Sequence, residues 1–565
     1  MSTSSSRAPA QPSLTACPPV VAPGGAPGSD PAPDRTTDPD ATTDADPAGG
    51  SDTAADPSAT SRRQKDTRTY LRGSSLLLSG RAISLGLNFL VQVLTVRYLS
   101  KSDFGAFAYA LGIATLGSTV LLFGFNRTIG RFIPIYQERG EDDKALGTLV
   151  VAAGSILGLG IACILCLIAL ESVLDGTYVK DPRALALLLI LIVLAPIEAF
   201  DKLFQSAAAI FIGARAVFYR RHVLAPGLKL AAVLLVIAVS GDARLLAVGY
   251  VVGGALGVGV YVTILVRAWR DQGVLRHLRP RALKLPVREI IAFSAPLVFS
   301  EMLVALPRML AVVILEYSHS TSAVAEYRAV LPIAHLNSVV LSSFGTLYVP
   351  LAARLFARED REGLNGLYWQ TATWISVLTF PVFVVTFGLA KPITVLLFGP
   401  TYASSAPLLA IMAIGTYFNA AMGFNVFTLR VQGNIRVNVA VNVATAVLGL
   451  GALLVLTVRY GALGAAIGTT VLLVLHNVLT HVGLVVVKMG IRLVDWTFLR
   501  TYLVILGVAS GMLVFQQLFD PPLLVGAVLA VATCAVVPYL CRSTLRASEA
   551  FPELMRVPIL RRLIA

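Results

Sequence analysis

Runs of about twenty or more apolar residues recur along the chain, and no other feature limits its fold as strongly. Leu146 to Leu170, Ala184 to Ile197 with its continuation to Gly213, and Tyr368 to Ala390 are each long enough to cross a hydrocarbon core of about 30 Å. A soluble helix has no use for such unbroken apolarity, because one of its faces must meet water. Of the 565 residues 56% are hydrophobic and only 14% charged, and the mean hydropathy is +0.75, which leaves too little charge to coat a globule of this size. The fold class predicted is an all-α polytopic membrane protein.

The runs predict about fourteen transmembrane helices, near 73–98, 104–126, 146–170, 184–213, 222–240, 244–267, 289–315, 321–350, 367–389, 402–429, 436–458, 461–487, 499–519 and 521–541. Lys and Arg gather on every second connection. Arg62, Arg63, Lys65, Arg68 and Arg72 precede the first helix, Arg127, Arg131, Arg139 and Lys144 follow the second, and seven more lie between Arg267 and Arg288 after the sixth. These connections hold about four times as many basic residues as the alternate set, so they and both termini are expected in the cytoplasm. The formal net charge of +14 is then juxtamembrane charge facing anionic lipid, and nucleic acid is not an expected partner.

Residues 1–66 are rich in Pro, Ala, Ser, Thr, Gly and Asp with almost no large apolar side chain, and are expected to form a disordered cytoplasmic tail. A six-helix lobe over 67–270, a basic linker over 271–288, a second six-helix lobe over 289–490, an extra helix pair over 491–545 and a basic tail over 546–565 complete the expected organisation. Cys163 and Cys166 stand inside an apolar helix with no His or second pair nearby, which reads as packing rather than a redox or metal site. Leu14-Thr15-Ala16-Cys17 imitates a lipoprotein box but lacks the basic start and apolar core of a signal peptide.

Shifting the sequence against itself by about 220 residues sets Ser74, Arg81, Asn88 and Phe107 opposite Ser294, Glu301, Arg308 and Tyr327, and Gly213-Ala214-Arg215 opposite Gly433-Asn434-Ile435. A six-helix unit returns the chain to its starting side, so the copies are expected to be parallel repeats forming two lobes with substrate between them. The last two helices fall outside the repeat.

Several ionisable residues interrupt the apolar runs: Arg81, Glu198, Asp201, Lys202, Lys229, Glu301 and Arg308. Each would cost about 2.5–3.5 kcal/mol at the bilayer centre if it faced lipid, so each is expected to face protein or a wet cavity. Arg81, Ser84, Asn88, Gln92 and Thr95 make one polar stripe on the first helix, and Ser294, Glu301 and Arg308 make another on the seventh. Arg81, Asn88, Gln92, Glu301 and Arg308 are therefore the candidate substrate-binding residues. Glu198, Asp201, Lys202 and Lys229 are candidates for coupling or cavity charge, with the alternative that Glu198 and Lys202 only pair with each other at i, i+4.

Arg72-Gly73-Ser74 ahead of Arg81, the segment from Val96 to Ala110 and Gln432-Gly433-Asn434-Ile435-Arg436 resemble polysaccharide-export flippases of the multidrug/oligosaccharidyl-lipid/polysaccharide exporter superfamily. The resemblance spans about residues 70–490. It implies a carrier of the bacterial cytoplasmic membrane that moves an undecaprenyl-diphosphate-linked oligosaccharide to the outer leaflet by alternating access, with membrane lipids, a polysaccharide polymerase and glycosyltransferases as partners. A multidrug exporter, a lipid II flippase and a membrane glycosyltransferase or polymerase are the alternatives. An enzyme of that last kind needs carboxylates or His displayed on a sizeable aqueous loop, and Asp175, Asp181 and His319 are isolated. No phosphate-binding loop, nucleophile elbow or ligand cluster occurs, so neither catalytic residues, a cofactor nor a metal is expected.

Overall fold

The computed structural model describes residues 80–212, 217–271, 284–431, 433–487, 490–519 and 523–545. The tail 1–66, linker residues 272–283 and the tail 546–565 lie outside the described residues, as does the side chain of Arg308. Among the described residues the chain is helical, and its only strand-like feature is an isolated bridge between Asp175 and Val179.

Fourteen long helical units follow one another among the described residues, with short helices such as Ala390–Phe398 between them. They are α1 (80–98), α2 (Lys101–Glu138), α3 (Asp142–Ala169), α4 (Pro182–Phe211), α5 (Phe218–Ala238), α6 (Ala243–Asp271) and α7 (Val287–Ser318). Then come α8 (321–357), α9 (Arg361–Gly388), α10 (Pro400–Val431), α11 (435–460), α12 (462–486), α13 (Trp496–Phe519) and α14 (Leu523–Leu540). Nine stretches among the described residues are long and apolar enough to cross a membrane, and one of them, Arg436–Val486, comprises both α11 and α12. The protein is a multi-pass membrane protein.

Local chemistry sets where these helices start and break. Ser100 caps α2 by accepting from the Asp103 amide, Asp181 caps α4 ahead of Pro182, and Ser320 caps α8 through the Ala323 amide. Phe123 and Gly124 both take left-handed φ, which breaks α2 near two-thirds of its length. Gly461, at φ +60° and ψ −135°, separates α11 from α12, so an apparently continuous 52-residue helix is two antiparallel crossings.

Lys101 and Thr321, which open α2 and α8, stand 220 positions apart, and the second lobe repeats the break as a 50° bend of α8 between Gly345 and Tyr348. The first lobe is α1–α6 and the second α7–α12. The α13–α14 pair lies against α9, where Ile505, Met512 and Val537 join Trp374, Phe380 and Phe383 in one buried cluster.

One expected boundary is corrected. Arg127 and Arg131, expected in the loop after the second helix, sit in its helical continuation Phe125–Glu138. That continuation is amphipathic, with Phe125, Ile129, Ile133 and Tyr136 buried, so it falls short of an unbroken apolar run although tertiary packing holds it helical.

The face of the bundle where α2 ends and α3 begins is the basic face, carrying Arg131, Arg139 and Lys144. At the opposite face the lobes approach to backbone distance, since a Cβ on Gly105 of α2 would stand 1.8 Å from the Thr321 carbonyl oxygen. Gly105→Ala is therefore expected to lower stability by about 1–3 kcal/mol through overpacking. Gly86→Ala, with nothing within 4 Å of its would-be Cβ, is the control that leaves the thermal transition in detergent unchanged.

Candidate functional site

Two groups of polar residues lie within the membrane-spanning part, one between the lobes and one inside the first lobe. Between the lobes, polar contacts close the opposite face. Lys101 of α2 donates to Glu326 of α8 at 2.5 Å, and Ser404 donates to the same carboxylate at 2.8 Å. Arg97 at the end of α1 donates to the carbonyls of Leu396 and Leu397. Those carbonyls belong to the last turn of the short helix Ala390–Phe398, where a cation also meets the negative end of the helix dipole. Thr321 donates to Asp181 at 2.8 Å, and the buried Glu316 of α7 accepts from the amides of Lys180 and Asp181.

Toward the basic face the α2–α7 seam continues. Arg127 meets Glu301 at 3.1 Å, the hydroxyls of Thr128 and Ser294 are 2.6 Å apart, and Tyr136 donates to Glu289 at 2.6 Å. Glu301 thus pairs across the lobes with a residue of α2.

On α1 the polar stripe changes environment along its length. Arg81 and Asn88 are exposed, Gln92 is half-buried and Thr95 is buried. Asn88 donates to the Ser84 carbonyl and hydroxyl, and Gln92 donates to the backbone carbonyl of Arg328 on α8. Arg328 donates to the Ala108 carbonyl of α2 at 3.3 Å, and no carboxylate of the described residues comes within ion-pair distance of its guanidinium. A Cβ on Gly112 would be 3.0 Å from that guanidinium, so Arg328 lies directly against α2.

Inside the first lobe, a cavity of about 250 Å³ lies between α2, α4, α5 and α6 and is lined by Glu198, Asp201, Lys202, Arg220, Lys229 and Tyr250 among others. The π-helical turn Phe218–Leu224 opens α5, and Arg220 within it is only 4% exposed. Arg220 forms a close ion pair with Asp201 and donates from Nε to the Gly257 carbonyl at 2.8 Å. A Cβ at residue 257 would fall 2.0 Å from Arg220 Nη2, so a glycine there makes room for the guanidinium. Ser118 of α2 stands 3.1 Å from a Glu198 carboxylate oxygen and accepts from Lys202 at 2.9 Å. Lys229 lies over the ring of Tyr250, 5.5 Å from its centroid.

A profile described as polysaccharide biosynthesis protein matches residues 70–356. The chain belongs to the polysaccharide biosynthesis protein family. A curated relative, an uncharacterized membrane protein of Methanocaldococcus jannaschii, is 27% identical over 164 residues, a stretch covering 27% of this chain and 31% of that relative. Among solved structures, a lipid II flippase MurJ in its inward closed conformation aligns over 86% of this chain and all of its own, with a TM-score of 0.63 at 13% identity. An inward-facing multidrug resistance MATE transporter of the MOP superfamily aligns over 72% of this chain and 94% of its own, with a TM-score of 0.58 at 17% identity. At such identities the likeness establishes the fold.

Within the chain the expected residues fall into separate places. Arg81, Asn88 and Gln92 share the α1 stripe; Glu301 is engaged by Arg127; Glu198, Asp201, Lys202 and Lys229 meet in the cavity of the first lobe. The alternative of a direct pair between Glu198 and Lys202 is not what the structure has: the two side chains both turn toward α2 and meet through Ser118. Sequence reasoning missed Arg220 and Arg328. Arg220 was indistinguishable from juxtamembrane charge beside Arg221, whereas Arg328, followed by Ala329, Val330 and Leu331, carried the same signal as Arg81.

Removing one partner of a buried ion pair leaves the other charge uncompensated, at a cost of about 3–5 kcal/mol. Asp201→Asn should therefore destabilise the protein strongly, and the double variant Asp201→Asn/Arg220→Gln should recover much of the loss in thermal unfolding of the detergent-solubilised protein.

Proposed function

We propose that the protein is a flippase that carries an undecaprenyl-diphosphate-linked oligosaccharide, or a similar glycolipid, from the inner to the outer leaflet of a bacterial cytoplasmic membrane, for cell-surface polysaccharide synthesis. The observation that carries this reading is Arg328. A guanidinium that meets no carboxylate among the described residues, at the junction of α8 with α1 and α2 and in line with the α1 polar stripe, suits a phosphorylated headgroup. Arg binds phosphate oxygens with several donors at once, and the attraction is strong where water is scarce.

The Lys and Arg bias sets the basic face and both termini in the cytoplasm. The polar clasp at the other face then closes the outside, and the α1 stripe from Arg81 through Asn88 to Gln92 is the route by which a headgroup enters. Arg308 of α7 is its expected partner from the second lobe. Opening the outside requires the pairs Lys101–Glu326 and Asp181–Thr321 to part while the α2–α7 contacts toward the basic face, such as Arg127–Glu301, hold. With the inside negative, each negative charge moved outward gains about 2.3 kcal/mol per 100 mV, so an anionic substrate is driven in the export direction.

Family membership and the two-lobed fold support a carrier rather than an enzyme. A cation exporter would need a free acid in the first lobe, but Arg220 occupies Asp201, and Ser118 with Lys202 occupies Glu198. This favours the saccharide over a cationic drug. Polymerases and glycosyltransferases acting on the same glycan are the expected partners.

Arg328→Ala should lower polymer export at least tenfold while the protein reaches the membrane at its normal level, since charged hydrogen bonds to phosphate contribute about 1.5–3 kcal/mol each. Arg328→Lys should retain part of the activity. Export is read from surface polymer and from lipid-linked saccharide accumulating on the inner leaflet; unchanged export by Arg328→Ala would overturn the reading.

A further inference from the structure

We propose that the first lobe holds a second binding site, for one small monovalent inorganic anion of the chloride class, in the cavity between α2, α4, α5 and α6. The site is separate from the path between the lobes, and the proposal does not depend on the transport reading.

The argument begins with charge. Lys202, Arg220 and Lys229 line the cavity together with Glu198 and Asp201, so with all five ionised the lining carries one positive charge in excess. An uncompensated charge at this depth in a membrane protein is expensive, and it is offset by a counter-ion. Neither α2 nor α6 supplies one, because their lining residues are Thr115, Gly249, Tyr250, Gly253 and Gly254.

The hydrogen-bond donors agree with the charge. Arg220 spends two nitrogens on Asp201 and the Gly257 carbonyl, and its Nη1 is buried without a hydrogen-bond partner. Lys229 has no carboxylate within 4 Å among the described residues and is held only over the Tyr250 ring. Lys202 uses one donor, on Ser118. Each carboxylate has one oxygen in contact with a donor, and three cations face these two acids, so cationic donors are in excess. That imbalance selects an anion and disfavours a metal cation.

Size narrows the class. A volume of about 250 Å³ is several times that of one water but below the range of drug-sized pockets, which start near about 300 Å³. The glycines of the α6 wall let that helix pack closely on its neighbours, since a Cβ on Gly249 would stand 3.0 Å from Ala232 and one on Gly254 2.9 Å from Leu194. The cavity has room for a small ion with a few waters.

The test compares purified full-length protein in sodium chloride and in sodium gluconate at matched ionic strength. Saturating chloride should raise the thermal transition of the wild type by roughly 2–4 °C, with a saturable dose dependence. Lys229→Met should remove that response, and Lys391→Met, outside the cavity, should keep it. Equal transitions of the wild type in both salts, or a full chloride response in Lys229→Met, would overturn the proposal. Crystals of the wild type soaked in bromide provide a readout that needs no variant: an anomalous peak beside Lys229 Nζ is expected, and a cavity without one refutes the site.

Discussion

Every charge that this chain carries into the bilayer has to be met by protein, because lipid tails offer neither donors nor counter-ions. In the first lobe that demand draws α2, α4, α5 and α6 around one cluster. Arg220 reaches Asp201 only because Gly257 lets its guanidinium pass, and Ser118 joins Glu198 to Lys202. Between the lobes the same demand yields reversible contacts. Lys101 with Glu326, and Arg127 with Glu301, are partly exposed pairs, and such pairs contribute little enough to be exchanged during a cycle.

This division of polar contacts gives a physical basis for alternating access. Within each lobe the packing is extensive and apolar: Phe107, Tyr109, Leu188 and Leu246 are buried in the first, and Tyr368, Phe380, Leu409 and Phe424 in the second. Bodies packed in this way move as units. The seam is held at the opposite face by Lys101, Arg97, Asp181 and Glu316, each meeting a group on the other lobe. Beside them Phe107 and Tyr109 of the first lobe share one buried apolar cluster with Tyr327, Val330 and Leu409 of the second, which must also part when the lobes separate. Arg328 stands at that seam with a backbone carbonyl as its acceptor, ready for a stronger one.

Much of the architecture was legible in the sequence because hydrocarbon thickness fixes the length of a crossing. The expected helix at 321–350 and the observed start at Thr321, or 461–487 against the break at Gly461, differ by a residue or none at their first ends. The last ends were less readable, since helices such as Phe125–Glu138 run on past the apolar core as amphipathic turns. Polar stripes were readable as periodicity, but which charges meet was not. Glu301 and Arg127 lie on different helices far apart in sequence, and Arg220 is turned inward by a π-helical turn that no residue pattern announces.

The central claim is that substrate crosses only when the lobes separate at the face held by Lys101 and Glu326. Its most direct test uses Lys101→Cys/Glu326→Cys in a cysteine-free background, joined by a short reducible bifunctional thiol reagent, with glycolipid translocation measured in proteoliposomes. The account predicts that cross-linking stops translocation and that reduction restores it. Translocation at the uncross-linked rate with the two residues joined would contradict it.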